Sequence, residues 1–314
     1  MSRLAGDLMP PLVILSPGRS FSTVVSAMLG CHPELYALPE TCLFVRDTMA
    51  EYLRDADNCI FVDGLIRAVA QQVFEGQTDG ALVAAQEWIG RQRRRSTRAV
   101  FDELRKRAHP RRIIEKTPMT TARLEHLARI ERFFSKRARF IHLTRHPRSY
   151  GASLVDTLLA MLNGNDVATV MRLLENDESI FYGVMDSDTG AIDPQNSWLR
   201  RHRRIDDFLA GIDEARWIRL RGEDVVTAPG RFLPHIFAWL GLPMAETALH
   251  PERWDFAARP RAGLSGGGDR KFFRDPTLRS QFSVPGLDGA LRWRTDRGGF
   301  RPEVQRLAHA YGYD

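Results

Sequence analysis

Apolar residues along this chain fall into short runs separated by longer stretches of helical spacing. Leu12–Leu15 is a four-residue apolar run with β-branched members, closed by Pro17 and Gly18, and reads as a buried strand. From Ser20 the spacing becomes helical, with Val24, Met28 and Leu29 on one face. Similar short runs predict strands at Leu35–Leu38, Arg112–Glu115, Ala138–Thr144 and Arg216–Leu220. Helical patterns fill residues 43–109, where Phe61, Val62, Leu65, Ile66, Val69 and Val73 form an apolar stripe. They return over Thr121–Phe134, from Pro147, over 165–213 and over Pro229–Leu240; proline suits the first turn of a helix. Strands alternating with helices predict an α/β fold, with a central, mostly parallel sheet and helices on both faces. The pattern weakens from residue 243, and residues 259–276, rich in Gly, Arg and Pro, read as a long loop. The expected organisation is one domain over 1–314, with helical insertions at 43–109 and 155–213 and a loop at 259–285.

The loop between the first strand and helix, Ser16-Pro17-Gly18-Arg19-Ser20-Phe21-Ser22-Thr23, carries the first chemistry. A strand end running into a helix N-terminus gathers backbone N–H groups at one point, which suits an anion. Arg19 adds a planar fork of donors matched to phosphate or sulfonate oxygens. Simple N-capping accounts equally well for the hydroxyls. The loop is not a Walker A sequence, because no lysine follows it. Glu40, Lys116 and Arg145, like Arg19, stand just past the carboxyl end of a predicted strand. In parallel sheets that edge is where ligands bind.

Composition changes this picture little. The 314 residues are 43% hydrophobic, enough for a substantial core, and no apolar run approaches the length of a membrane span. The first residues lack the apolar core of a signal peptide, so a soluble cytoplasmic protein is expected. Cys31, Cys42 and Cys59 form no Cys-x-x-Cys pair, which argues against a zinc site or a disulfide framework. No metal-ligand spacing appears. The net charge of +6 is concentrated in arginine clusters at residues 91–112 and at Arg200, Arg201, Arg203 and Arg204. These read as solvated helix faces, or as a positive field that draws in an anionic ligand. Nothing in them has the form of a nucleic-acid-binding module.

Taken in order, these motifs resemble those of PAPS-dependent sulfotransferases, where PAPS is 3′-phosphoadenosine 5′-phosphosulfate. Pro17-Gly18-Arg19-Ser20-Phe21-Ser22-Thr23 is similar to the family's first signature, Pro-Arg-Ser-Gly-Thr-Thr. Leu38-Pro39-Glu40-Thr41 resembles the segment that carries a catalytic glutamate in protein-tyrosine and heparan-type members. Glu115-Lys116-Thr117-Pro118 matches an Glu-Lys-Thr/Ser-Pro motif. Thr144-Arg145 through Ser153 resembles the 3′-phosphate motif, an arginine at a strand end with a serine eight residues later. Arg221-Gly222-Glu223-Asp224-Val225 resembles Arg-Tyr-Glu-Asp-Leu, and Gly268-Asp269-Arg270-Lys271-Phe272 resembles a late loop that covers the cofactor. There are two departures. Phe21 stands where glycine is usual, which implies a changed backbone path. Pro118 stands where many small-molecule cytosolic members have a histidine base.

The resemblance implies a P-loop-like three-layer fold and a bacterial sulfotransferase that moves a sulfuryl group from PAPS to a hydroxyl of a small-molecule acceptor, leaving PAP without a metal. It implies catalytic roles for Arg19, Glu40 and Lys116. Cofactor contacts would come from Arg19, Ser20, Phe21, Ser22, Thr23, Arg145, Ser153, Arg270 and Lys271. Glu40 becomes the base by default, with a histidine elsewhere as the open alternative; an acid at a helix start is its bland reading. Trp198, His142 and His146 read as structural. A P-loop-type kinase using ATP is disfavoured by the missing Walker lysine, and a non-enzymatic nucleotide- or nucleic-acid-binding protein rests only on the basic runs. A homo-oligomer is left open, and no residue identifies the acceptor.

Overall fold

The five apolar runs form one all-parallel sheet in the computed structural model. It describes residues 8–56, 62–164, 167–186, 189–258 and 286–314, with Leu264, Phe273, Arg279, Phe282 and Ser283. The strands are β1 (Leu12–Leu15), β2 (Leu35–Ala37), β3 (Arg112–Glu115), β4 (Arg139–Thr144) and β5 (Trp217–Arg221), in the order β2-β3-β1-β4-β5. Leu12 lies opposite both Ile114 and Arg139, so β1 is central. All four of its residues are buried, as expected of a strand covered on both faces, which reads as an unbroken apolar run.

Helices α1 (Ser22–Gly30), α2 (Met49–Ala56), α3 (Val62–Val73), α4 (Asp79–Arg91) and α5 (Thr97–Ala108) come before β3. Thr78 and Ser96 cap α4 and α5, accepting from the N–H groups of Ala81 at 3.2 Å and Ala99 at 3.1 Å. Helices α6 (Leu124–Phe133), α7 (Pro147–Gly164), α8 (Val167–Glu175) and α9 (Gln195–Leu209) follow. Then come α10 (Gly222–Thr227), α11 (Pro229–Leu240) and α12 (Pro302–Ala310). Two predicted helices are broken. Pro118–Ala122 forms a separate 3₁₀ turn, and extended Arg123, drawn to Asp177 at 2.7 Å, divides it from α6. The described residues of 176–186 and 189–194 are irregular, with Gly183 and Gly190 at positive φ, so the described part of 165–213 holds two helices, α8 and α9, rather than one.

One apolar cluster surrounds the sheet. A second joins Tyr150 and Leu154 of α7, Trp198 of α9 and, from the end of the chain, Leu291, Phe300 and Tyr313. The arginine clusters divide in a way that a solvated face does not anticipate. Arg91, Arg93 and Arg94 are exposed. Arg105 is buried, pairs with Asp102 at 2.7 Å and bonds the carbonyls of Leu8 and Met9. Arg201 is buried too and donates to the carbonyls of Pro118, at 3.1 Å, and Ser179. These two tie separate segments together. Among the described residues, no helix is long and apolar enough to cross a membrane. Cys31 is a free thiol and the buried Cys42 Sγ lies 3.9 Å from Met119 Sδ, while Cys59, Arg270 and Lys271 lie outside the described residues.

Candidate active site

Because the strand order is β2-β3-β1-β4, the residues that follow those strands line up along one edge. Glu40, Lys116, Arg19 and Arg145 come in that order across the carboxyl end of the sheet. The sequence places each residue past its strand, and the topology makes them neighbours.

The loop after β1 is built on two left-handed residues, Arg19 at φ 65° and Phe21 at φ 60°. Left-handed backbone costs a side-chain-bearing residue about 1–2 kcal/mol. Phe21 thus takes a glycine-type conformation. The ring meets Phe282 edge-on, with centroids 5.1 Å apart, and the Arg145 guanidinium sits 4.3 Å from its centroid. Space for the ring comes from Gly222, where a Cβ would lie 2.9 Å from Phe21 Cδ2. Helix α1 begins at this loop with no side-chain cap, and the first N–H groups of a helix have no partner within it. The Ser20 and Ser16 hydroxyls are buried and meet no hydrogen-bond partner among the described residues. A buried polar group left in that state costs about 1–3 kcal/mol. Open N–H groups, orphaned hydroxyls and two arginines fit an anionic phosphate group at this loop.

On one side of the loop, Lys116 Nζ donates to Glu40 Oε1 at 2.5 Å and to Thr23 Oγ1 at 3.0 Å. The Lys116 side chain is 1% exposed and that of Glu40 is 19% exposed, so only the carboxylate of the pair reaches solvent. Helix α3 presses on the backbone of Glu40: a Cβ on Gly64 would stand 1.8 Å from the Glu40 carbonyl oxygen. The Thr117 hydroxyl donates to Glu115 Oε1 and accepts from the Cys42 N–H at 3.3 Å, which pins the Glu40 segment to the end of β3. Burial pushes the Glu115 carboxyl up to about 7, against the pull of the Thr117 hydroxyl and the Lys116 ammonium.

On the other side, Arg145 is buried. Its Nε donates to Ser149 Oγ at 3.0 Å and its Nη1 donates to the Arg19 carbonyl. Trp198 Nε1 donates to the Arg145 carbonyl at 2.8 Å. Ser153, the serine eight residues after Arg145, accepts from Arg19 Nε at 3.1 Å. His142, His146 and Trp198 are buried. Burial pushes His146 down to about 4 and His202 to about 3, so both rings are neutral. Three residues on this side were given no role from the sequence: Ser149, Glu223 and Tyr313. Ser149 lies in the first turn of α7, four residues past Arg145, which follows β4. Tyr313 carried no sequence signal.

Comparison with known proteins bears on the fold and the family. The sulfotransferase domain from the curacin biosynthetic pathway shares the fold, with a TM-score of 0.74 at 24% identity, over 98% of this chain and 99% of that one. The sulfotransferase domain from the Synechococcus PCC 7002 olefin synthase has a TM-score of 0.66 at 22% identity, over 97% and 95%. No curated protein sequence matches the chain. The model of the sulfotransferase family matches residues 10–246, which is most of the chain and holds Arg19, Glu40, Lys116 and Arg145; the chain belongs to the sulfotransferase family.

Proposed function

We propose that this sulfotransferase takes its sulfuryl group from PAPS and passes it to a hydroxyl of a small-molecule acceptor of natural-product type, with Glu40 as the base. The observation that carries this reading is the Lys116 contact with both Glu40 and Thr23. It joins a carboxylate that reaches solvent to the anion loop through one buried ammonium. Bound PAPS would supply an activated sulfuryl group on a phosphate leaving group. Glu40 takes the proton of the acceptor hydroxyl as the acceptor oxygen bonds to sulfur. Lys116 and Arg19 meet the charge that builds on the departing phosphate oxygen. Ser20 to Thr23 and the start of α1 hold the 5′-phosphate, and Arg145 and Ser153, with Arg19 between them, hold the 3′-phosphate. The acceptor class is supported by the two structures of the same fold, which come from a biosynthetic pathway and an olefin synthase.

Calorimetry with PAP and with magnesium–ATP tests the donor. PAP should bind without added metal and more tightly than ATP. Equal affinity for AMP and PAP would remove the 3′-phosphate assignment, and a magnesium requirement would favour nucleoside triphosphate chemistry. Labelled PAPS with a panel of hydroxylated small molecules then tests the acceptor.

A further inference from the structure

The end of the chain is built into the nucleotide side of the site. After α12, Tyr313 turns inward with its side chain fully buried. Its hydroxyl lies 3.0 Å from Glu223 Oε2 and 3.0 Å from Thr144 Oγ1, at the end of β4. Burial and the Glu223 carboxylate raise the phenol far above its ordinary range, so it stays a donor. The other oxygen of Glu223 accepts from the His146 N–H at 2.9 Å and faces Ser149 Oγ at 3.3 Å. Ser149 in turn accepts from Arg145 Nε. The Ser149 proton has two acceptors to choose between, Glu223 and the His146 carbonyl at 3.1 Å, and both hold its lone pairs toward the guanidinium.

The backbone of the tail is fastened as well. Arg221 donates to the Gly312 carbonyl at 2.5 Å while paired with Asp224 at 2.7 Å. Leu287 N–H donates to the Asp314 carbonyl at 3.1 Å. Arg148, three residues from Arg145, bonds the carbonyls of Gly286 at 3.0 Å and Ala290 at 2.7 Å. The last residues and the 286–290 segment are therefore strapped to the first turn of α7. Tyr313 and Glu223 are too buried to touch a ligand, so any influence on binding must pass through the groups they hold.

We infer that Tyr313 and Glu223 are positioning residues for Arg145: the segment that carries Tyr313 acts as a latch that fixes the guanidinium which discriminates nucleotides carrying a 3′-phosphate. The inference rests on the reading of Arg145 as the 3′-phosphate ligand. It predicts a loss confined to that phosphate. A tail that merely stabilised the fold would weaken all nucleotides alike.

The experiment is calorimetric titration of PAP and AMP into the wild type, Tyr313→Phe, Glu223→Gln and Arg145→Ala, with a thermal melt of each. Tyr313→Phe removes the hydroxyl, with its bonds to Glu223 and Thr144, and keeps the ring; only the Glu223 bond leads to Arg145. PAP affinity should fall about three- to tenfold, the effect of one such bond, with AMP affinity within about twofold of wild type. Glu223→Gln should show the same selective loss. Equal losses for PAP and AMP in both variants would overturn the latch. So would an unchanged PAP to AMP ratio in both while Arg145→Ala abolishes it. If Arg145→Ala itself leaves that ratio unchanged, the 3′-phosphate reading falls and the latch falls with it.

Discussion

The two ends of the row of charged residues along the carboxyl edge of the sheet are held by different means. At the β2–β3 end, Glu40 and Lys116 meet directly at 2.5 Å, and their supports, Thr117 and Cys42, are close neighbours in sequence. At the β1–β4 end, Arg19 and Arg145 are placed by aromatic rings, hydroxyls and carbonyls from distant parts of the chain: Phe282, Ser153, Trp198 and, through Glu223, Tyr313. The Glu40–Lys116 end, proposed to carry the chemistry, is held chiefly by residues next to the pair, whereas the Arg19–Arg145 end, proposed to hold the nucleotide, depends on segments from much farther along the chain. Damage to the first should therefore appear in turnover, and damage to the second in binding.

The sharpest break should come from Glu40→Gln. A positioned base contributes about 10²–10⁴-fold in rate, and turnover in single-turnover transfer from labelled PAPS should fall by that order. PAP affinity should stay near wild type. Near-normal turnover would move the base to another residue, such as a histidine. Arg145→Ala should give the converse pattern. Losing a charge-assisted contact worth about 1.5–3 kcal/mol lowers PAP affinity roughly tenfold to a hundredfold. Unchanged PAP titration would place Arg145 outside the nucleotide site.

The third prediction concerns the ring between the two arginines. Gly222→Tyr should destabilise by about 1–3 kcal/mol, because the new side chain enters the space of Phe21. Phe21→Gly combined with Gly222→Tyr should recover much of that loss, giving a coupling of about 0.5–3 kcal/mol in denaturant melts. Additive effects would mean that the two positions do not share one space.

The smallest effect is a pH slope under the nucleotide end. His142 Nε2 and His202 Nδ1 are 2.9 Å apart, with Arg219 at 3.2 Å from His142 and Asp206 and Tyr311 beside them. Burial lowers both rings, His202 to about 3. Below an ordinary histidine value of about 6.5 the unfolded chain binds protons that the folded chain refuses, so stability falls as pH falls. Each ring contributes about 1.4 kcal/mol per pH unit in that window. Glu115, raised to about 7, contributes with the opposite sign, but it does so in wild type and variant alike. Between pH 6 and 5 the slope for His202→Gln should be shallower by about 1.4 kcal/mol per unit. An unchanged slope would mean that His202 is not held neutral.

The Glu40–Lys116 end was also the more legible one. Apolar runs bounded by Pro and Gly marked all five strands to within a residue or two. Glu40, Lys116, Arg19 and Arg145 stood out because each followed such a run. What sequence reading missed is long-range. Ser153 accepts from Arg19, 134 residues away, and no local pattern encodes that bond. Arg201 looked like one member of a solvated cluster, yet it is buried against carbonyls of two other segments. Tyr313 lies in an unremarkable tail, and only the folded chain brings it behind Arg145.

Phe21 and Gly222 share one space, so the ring and the residue without a side chain form a single unit. A Cβ at position 222 would stand 2.9 Å from Phe21 Cδ2, and the ring it would strike lies with its centroid 4.3 Å from the Arg145 guanidinium. Bulk added at position 222 therefore reaches the arginine through the ring, and a residue with no side chain sets how much room the guanidinium has.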